Sequence, residues 1–332
     1  MKNDCASRSF LCLSILLAGL AIYLHFFRLG ETPPGFFVDE ASVAYNAFCL
    51  DRAGIDEHGK SFPLFFKCFG QYQDPVPIYA VALCGLFTEI TRPLARAPIA
   101  LFHILASVAF FFLARRYVRN PYLALAGAFA FSCVPWLFPI SRMAMMGHLP
   151  MLFGICAGWF LLMKAFAGKS SASYAVASAF FWAFAAYSQN SGRPFIAIFL
   201  LAFVVLFNKA LIKRWRAMLA FCATLGVLCL PFAFVMLTDP AALTQRFNDV
   251  CVWNDASGIL DAVRRIASNY FGYFHPGFLF LSGDPISQHH TGVGGEIYMC
   301  MAPLALCGIC FLAGRLRRRP WNTLVIVSLL AY

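Results

Sequence analysis

Two adjacent carboxylates, Asp39 and Glu40 in PPGFFVDEASVAYNA, follow closely on the first apolar run of the sequence. Acids held beside a membrane span are costly unless they are solvated, paired or used for chemistry. Partial burial raises a carboxyl pKa toward the working range of a base, so Asp39 is read as a general base. Glu40 then orients Asp39, binds a metal or is simply solvated. The competing reading of Asp39 is structural, an N-cap that accepts first-turn N–H groups and does no chemistry.

Other polar groups are spread over four further stretches. Asp56, Glu57 and His58 in AGIDEHGK supply ligand or acceptor contacts, or form a solvated charged face. Tyr72 in QYQDP is a substrate-binding candidate. Arg142 and His148 flank MAMMG; the histidine hydrogen-bonds an acceptor, binds metal, or merely ends an interfacial helix. Arg193 in AYSQNSGRPF pairs with phosphate through its planar fork or snorkels to lipid headgroups. Asp284 and His290 belong to the last polar stretch, where adjacent His289 and His290 do not both face one metal from a regular helix.

These groups must be positioned by membrane-spanning elements. With 61% hydrophobic residues, 12% charged, 37 phenylalanines in 332 residues and a mean hydropathy of +0.72, a soluble domain is excluded. Phe10 to Phe27, preceded by Lys2 and Arg8 and lacking a small-residue cleavage site, reads as a retained signal anchor. Further spans are predicted at Pro98–Ala114, Tyr122–Phe138, Leu149–Phe166, Ser173–Tyr187, Phe195–Ile212, Ala217–Leu237, Ile297–Ala313 and from Trp321 onward. The last reaches only about 12 residues against the roughly 20 of a span, so the chain is expected to continue elsewhere through further spans.

Val76–Ile90 decides the topology. Kept as an interfacial or re-entrant helix, it leaves 15 basic and 1 acidic residue on the inner side and 11 and 14 on the outer; crossing would put 17 of the 26 basic residues outside. The positive-inside rule selects the first arrangement, with the N-terminus cytoplasmic. The outer segments are then 28–97, 139–147, 188–194 and 238–296, and the net charge of +11 needs no nucleic acid. Cys307 and Cys310 inside a span read as packing rather than redox chemistry, whereas Cys49, Cys68 and Cys251 on the outer side allow one disulfide without choosing its pair. No internal repeat is visible.

The stretches FRLGETPPGFFVDEA, AGIDEHGKSFPLFF and FGQYQDPVPIY resemble the first outer loop of bacterial family 39 glycosyltransferases, related to protein O-mannosyltransferases and the aminoarabinose transferase. The resemblance implies an all-α, GT-C-type helical bundle of about nine spans, the last incomplete, forming one transferase domain over residues 1–332. It extends to Trp136, Ser141 and Arg142 in the second outer segment, to Tyr187, Gln189, Asn190 and Arg193 in the third, and to the aromatic stretch Asn269–His275 and the tail around Asp284 in the fourth. Two departures stand out. Gln73 occupies the place of the family's phosphate-contacting lysine, leaving Lys60, Lys67, Arg92 or Arg96 for that role, and no acid follows Arg142, where Met145, Met146, Gly147 and His148 stand instead.

The function so implied is an inverting transfer of a hexosyl or pentosyl unit from a polyprenyl-phosphate donor to a lipid, glycan or protein acceptor, on the outer face of the plasma membrane. Membrane lipids are the other expected partners. The cofactor expectation is none or a divalent metal, with Glu40 and His148 as its candidate ligands. The alternative is a transporter or flippase of lipid-linked sugars. Transporters place their charges near the bilayer midplane, whereas here the predicted spans are almost free of acids.

Overall fold

The computed structural model describes residues 2–145, 147–166, 172–254, 256–286, 292–314 and 320–331. Its elements are α1 (Lys2–Phe26), α2 (Val38–Ala53), the strands β1 (Phe66–Cys68) and β2 (Gln71–Gln73), α3 (Pro75–Gly85), α4 (Arg92–Tyr117), α5 (Pro121–Cys133), α6 (Leu137–Ser141), α7 (His148–Phe166), α8 (Ala172–Ser188), α9 (Gly192–Lys213), α10 (Trp215–Thr238), α11 (Ala241–Val250), α12 (Ile259–Gly272), α13 (Ala302–Ala313) and α14 (Pro320–Ala331). Five of these, in α1, α4, α7, α9 and α10, are long and apolar enough to cross a bilayer. The chain is an all-α polytopic membrane protein, its only described sheet the β1–β2 hairpin.

Small residues set the closest helix contact. Gly154 and Gly158 stand one turn apart on α7, and a Cβ on Gly154 would lie 2.8 Å from the Phe181 carbonyl oxygen of α8. A methyl group at Gly154 would push the two backbones apart and one at Gly158 would crowd the Trp182 ring, which is why this spacing recurs where membrane helices meet. Trp182, fully buried on α8, and Trp159 on α7 both pack on Phe199 of α9, with ring centroids 4.7 Å apart in each pair. By contrast α1 buries little and turns Leu11, Ile15 and Leu16 outward. In lipid such a face needs no protein cover.

Two expectations change in detail. The segment Tyr122–Phe138 is not one helix: α5 stops at Cys133 because Pro135 holds Val134 extended (φ −61°, ψ 136°), and α6 starts after it. Val76–Ile90 becomes α3, whose 11 residues rise about 16 Å, too short to span. It lies beside α2, burying Ile78, Val81 and Ala82 with Val43 and Ala47.

Long-range hydrogen bonds gather the loops at one end of the bundle, joining the C-terminus of α1, the N-terminus of α4, the α6–α7 connection, the α8–α9 turn and the end of α10. At the opposite end Arg116 and Lys164 lie over the Phe160 ring. Gly147 fixes one junction of the looped end. A Cβ there would come within 1.6 Å of the Ser188 carbonyl oxygen, so only glycine lets the α6–α7 connection touch the end of α8.

Candidate functional site

Asp39 and Glu40 share a turn of helix and have opposite surroundings. Phe37 is the N-cap of α2, its N–H donated to Glu40 Oε2 (3.1 Å), so Asp39 sits one turn position inside the helix and the N-cap reading fails. Glu40 is 1% exposed and ion-paired bidentately with Arg96, which donates Nε to Oε1 and Nη2 to Oε2, both at 2.8 Å. The Ala144 amide fills the remaining position on Oε1 at 2.9 Å. Four donors therefore occupy the four lone-pair sites of the carboxylate, which leaves none for a metal. Arg96 in turn donates to the carbonyls of Leu29, Pro33 and Gly35, so this pair ties the α1–α2 connection to α4 and to the α6–α7 loop.

Asp39 is half-buried and, among the described residues, makes neither a hydrogen bond nor an ion pair. Burial raises its carboxyl above the ordinary 3.8, and the positive charge of Arg246 on α11 pulls it partly back. Beside it Cys68 ends β1, hydrogen-bonded to Ser42 (2.7 Å); burial and the charges of Glu57 and Asp39 keep that thiol protonated. Cys49, Cys68 and Cys251 are all free thiols.

The DEHG sequence builds scaffolding around this position. Asp56 is buried and accepts the amides of His58 (3.0 Å) and Lys60 (2.8 Å) within its own turn. Glu57 is clasped by Asn46 of α2 through both its amide and its carboxylate, at 3.1 Å each. His58 Nε2 donates to the Lys67 carbonyl (3.0 Å), fixing the loop to β1. The hairpin turns at Phe69 and Gly70, both at positive φ (49° and 77°), the backbone that a two-residue connection requires.

Side chains of the hairpin reach the last polar segment. The Tyr72 hydroxyl donates to Asp239 (2.7 Å), which raises the phenol above its ordinary 10, and Gln71 donates to Asp249 (2.8 Å). Gln245 donates to the Gly70 carbonyl. Residues 239–249 are thus strapped across the hairpin beside Asp39.

The remaining candidates are placed elsewhere. Arg142 is buried and caps the C-terminal end of α1, donating to the carbonyls of Leu24, His25, Phe27 and Thr32. Arg193 forms an ion pair with Asp74 and is sandwiched between the Phe65 and Phe232 rings (5.1 and 5.2 Å). Asp74, which sequence reasoning passed over, also accepts the Asn190 amide (2.8 Å). Its burial pushes the carboxyl up to about 6 against the pull of Arg193. The signal was present in part, since an Asp before Pro75 marks a helix start. Next to this pair an apolar cavity of about 450 Å³ runs between α3, α8 and α10, lined by Pro75, Tyr79, Phe184, Tyr187 and Pro231 among others.

His148 opens α7 half-buried, and Asp284 accepts the Ile286 amide (2.8 Å) in a local turn. His289 and His290 lie outside the described residues. Among the described residues no group of three or more His, Cys, Asp or Glu side chains is arranged to hold a metal.

No family model matches the sequence, and no curated protein does. Solved structures do match in fold. The oligosaccharyltransferase AglB of the archaeon Archaeoglobus fulgidus, in complex with an inhibitory peptide and a dolichol-phosphate, aligns with a TM-score of 0.60 at 15% identity, covering 98% of this chain and 47% of that one. The same archaeal enzyme tethered to an acceptor peptide gives a TM-score of 0.59 at 15% identity, over 96% of this chain and 45% of its own. The chain thus spans less than half the length of the structures it matches. The likeness is one of fold.

Proposed function

We propose that this chain is an inverting glycosyltransferase that moves a sugar from a polyprenyl-phosphate to a lipid, glycan or protein acceptor at the outer face of the membrane. One observation carries the reading. Asp39 is a half-buried carboxylate without a partner among the described residues, at the looped end of the bundle, while its neighbours are locked in place around it. A base needs that combination of a raised pKa and an open lone pair.

In the proposed step the acceptor oxygen or nitrogen attacks the anomeric carbon and Asp39 takes its proton. The bond from that carbon to the phosphate oxygen breaks on the opposite face, and its electron pair leaves with the phosphate. Phosphate is a good leaving group, so a second carboxylic acid is not needed, in contrast to glycosidases. Glu40 is a positioning residue here, fixing the first turn of α2 through Arg96. The apolar cavity beside the Asp74–Arg193 pair suits an isoprenoid chain, and the fold match to a dolichol-phosphate complex supports a lipid-linked donor.

The test is transfer of radiolabelled sugar from extracted polyprenyl-phosphate lipids by membranes holding the chain or its Asp39→Asn form. The variant should fold as the parent does and lose about 10²- to 10⁴-fold in rate. In the parent the rate should fall as pH drops through the raised Asp39 pKa, because protonation removes the base. Full activity in Asp39→Asn would sink the assignment. Binding and movement of lipid-linked sugar without any transfer would favour the transporter or flippase.

A further inference from the structure

The helix α12 separates its apolar from its polar residues and leaves most of the apolar ones uncovered. At about 100° per residue, Ile259, Val263, Ile266 and Tyr270 form one stripe, widened on one flank by Leu260 and Phe271. Asp261, Arg264, Arg265, Ser268 and Asn269 share the other half of the helix. Of its residues only Ala262 is buried, whereas Ile259 and Leu260 are 75% and 83% exposed. An apolar face of this extent marks a contact surface.

The segment that carries α12 is held at both ends to the looped end of the bundle. Before it, Asp239 and Asp249 are bonded to Tyr72 and Gln71 of the hairpin. After it, the Trp136 amide donates to the Glu296 carbonyl (3.2 Å) and the Tyr298 hydroxyl to the Cys133 carbonyl (2.9 Å). The 14 residues of α12 rise about 21 Å, short of the roughly 30 Å of hydrocarbon, and its Asp261, Arg264 and Arg265 oppose crossing.

Charge and aromatic placement select lipid as what covers the stripe. Arg264 and Arg265 stand toward the two edges of the apolar half. Arg265 pairs with Asp261 along the polar face (3.0 Å), while Arg264 makes neither a hydrogen bond nor an ion pair among the described residues and is free to reach a headgroup. Trp253 before the helix and Tyr273 after it are both exposed, the amphipathic rings that collect at a lipid–water boundary. The bundle itself sets a bilayer beside the helix.

We infer that α12 docks on the phospholipid bilayer at the looped end, with its stripe toward the acyl chains and its arginines at the headgroup phosphates. Docking sets the height of the strapped segment 239–249, and so of the rim beside Asp39, at the lipid surface. It requires nothing of the reaction proposed above.

The experiment places the whole chain in vesicles of phosphatidylethanolamine and phosphatidylglycerol that carry a lipid with an acyl-chain diazirine. Photolysis marks side chains in contact with acyl chains, hydroxyl radicals mark those in contact with water, and mass spectrometry assigns both, with α10 as the reference for lipid contact. In the parent, lipid label should fall on Ile259, Val263 and Ile266. Val263→Asp combined with Ile266→Asp changes two exposed side chains and should unfold at the parent's midpoint; it should cut the lipid label on α12 about tenfold or more and leave that on α10 unchanged. Radical labelling of the stripe in the parent overturns the inference. So does a stripe that neither reagent reaches, since another protein surface would then cover it, and so does lipid label undiminished in the double variant, since the contact would then not come from the stripe.

Discussion

Two carboxylate–arginine regions lie within one turn of α2 and are built on opposite plans. Around Glu40 every polar atom has a partner: a bidentate Arg96, two backbone amides, and three carbonyls on the far side of the guanidinium. The Asp39 carboxylate, by contrast, has no such partner among the described residues, and Arg246 stands off with one weak contact. The first arrangement holds four chain segments in register. The second is affordable only because the first exists, since an unpaired carboxylate must rely on neighbours for its place. Satisfied charge builds the scaffold and unsatisfied charge is left for chemistry.

Breaking the scaffold should cost most. Glu40→Gln strands the Arg96 charge at a site only 1% exposed and should lower stability by about 3–5 kcal/mol. Denaturant titration in micelles measures it, and a loss no larger than that of Asp39→Asn, expected within about 0.5 kcal/mol, would erase the contrast between the two regions.

A smaller effect is expected at Asp74. Its folded carboxyl, near 6, lies above the unfolded value of 3.8, so the folded state binds more protons between these values. Stability should therefore fall as pH rises from about 4 to about 6 and level off above that. Asp74→Asn should flatten that part of the pH–stability curve. An unchanged slope would mean that Arg193 holds the carboxylate ionised throughout.

The smallest effect sharpens the open region. Tyr72→Phe removes one strap contact to Asp239 and should cost about 0.5–1.5 kcal/mol of stability. Denaturant titration in micelles measures it, and an unchanged midpoint would mean that the bond to Asp239 does not hold the strap.

Much of the bundle was legible because lipid asks only for length and apolarity, and runs such as Phe195–Ile212 and Ala217–Leu237 supply both. The break after Cys133 was written in Pro135, but a proline inside an apolar run also occurs within intact helices, as Pro98 and Pro231 show in α4 and α10. The hairpin was not legible: three-residue strands carry no alternation to read, and Phe69 at positive φ is an unusual turn residue. Asp39 stood out in sequence as a carboxylate beside a span. What distinguishes it from Glu40 did not, because that depends on Arg96, 56 positions away. The same holds for Arg193, whose partner Asp74 lies 119 positions earlier, and for Arg246, which α11 carries to the hairpin across 175 positions. Local pattern names the charged residues, and only the fold says which of them are already spoken for.

The cap that Arg142 places on α1 also bears on biogenesis. A helix end in a membrane leaves carbonyls that something must satisfy, and here the donor to His25 is encoded 117 residues later. While the chain is being made, the end of the first inserted helix must stay in contact with water or headgroups until the α6–α7 connection has emerged. The end of α1 is thus finished well after the helix itself is made, by a residue on the far side of five more helices.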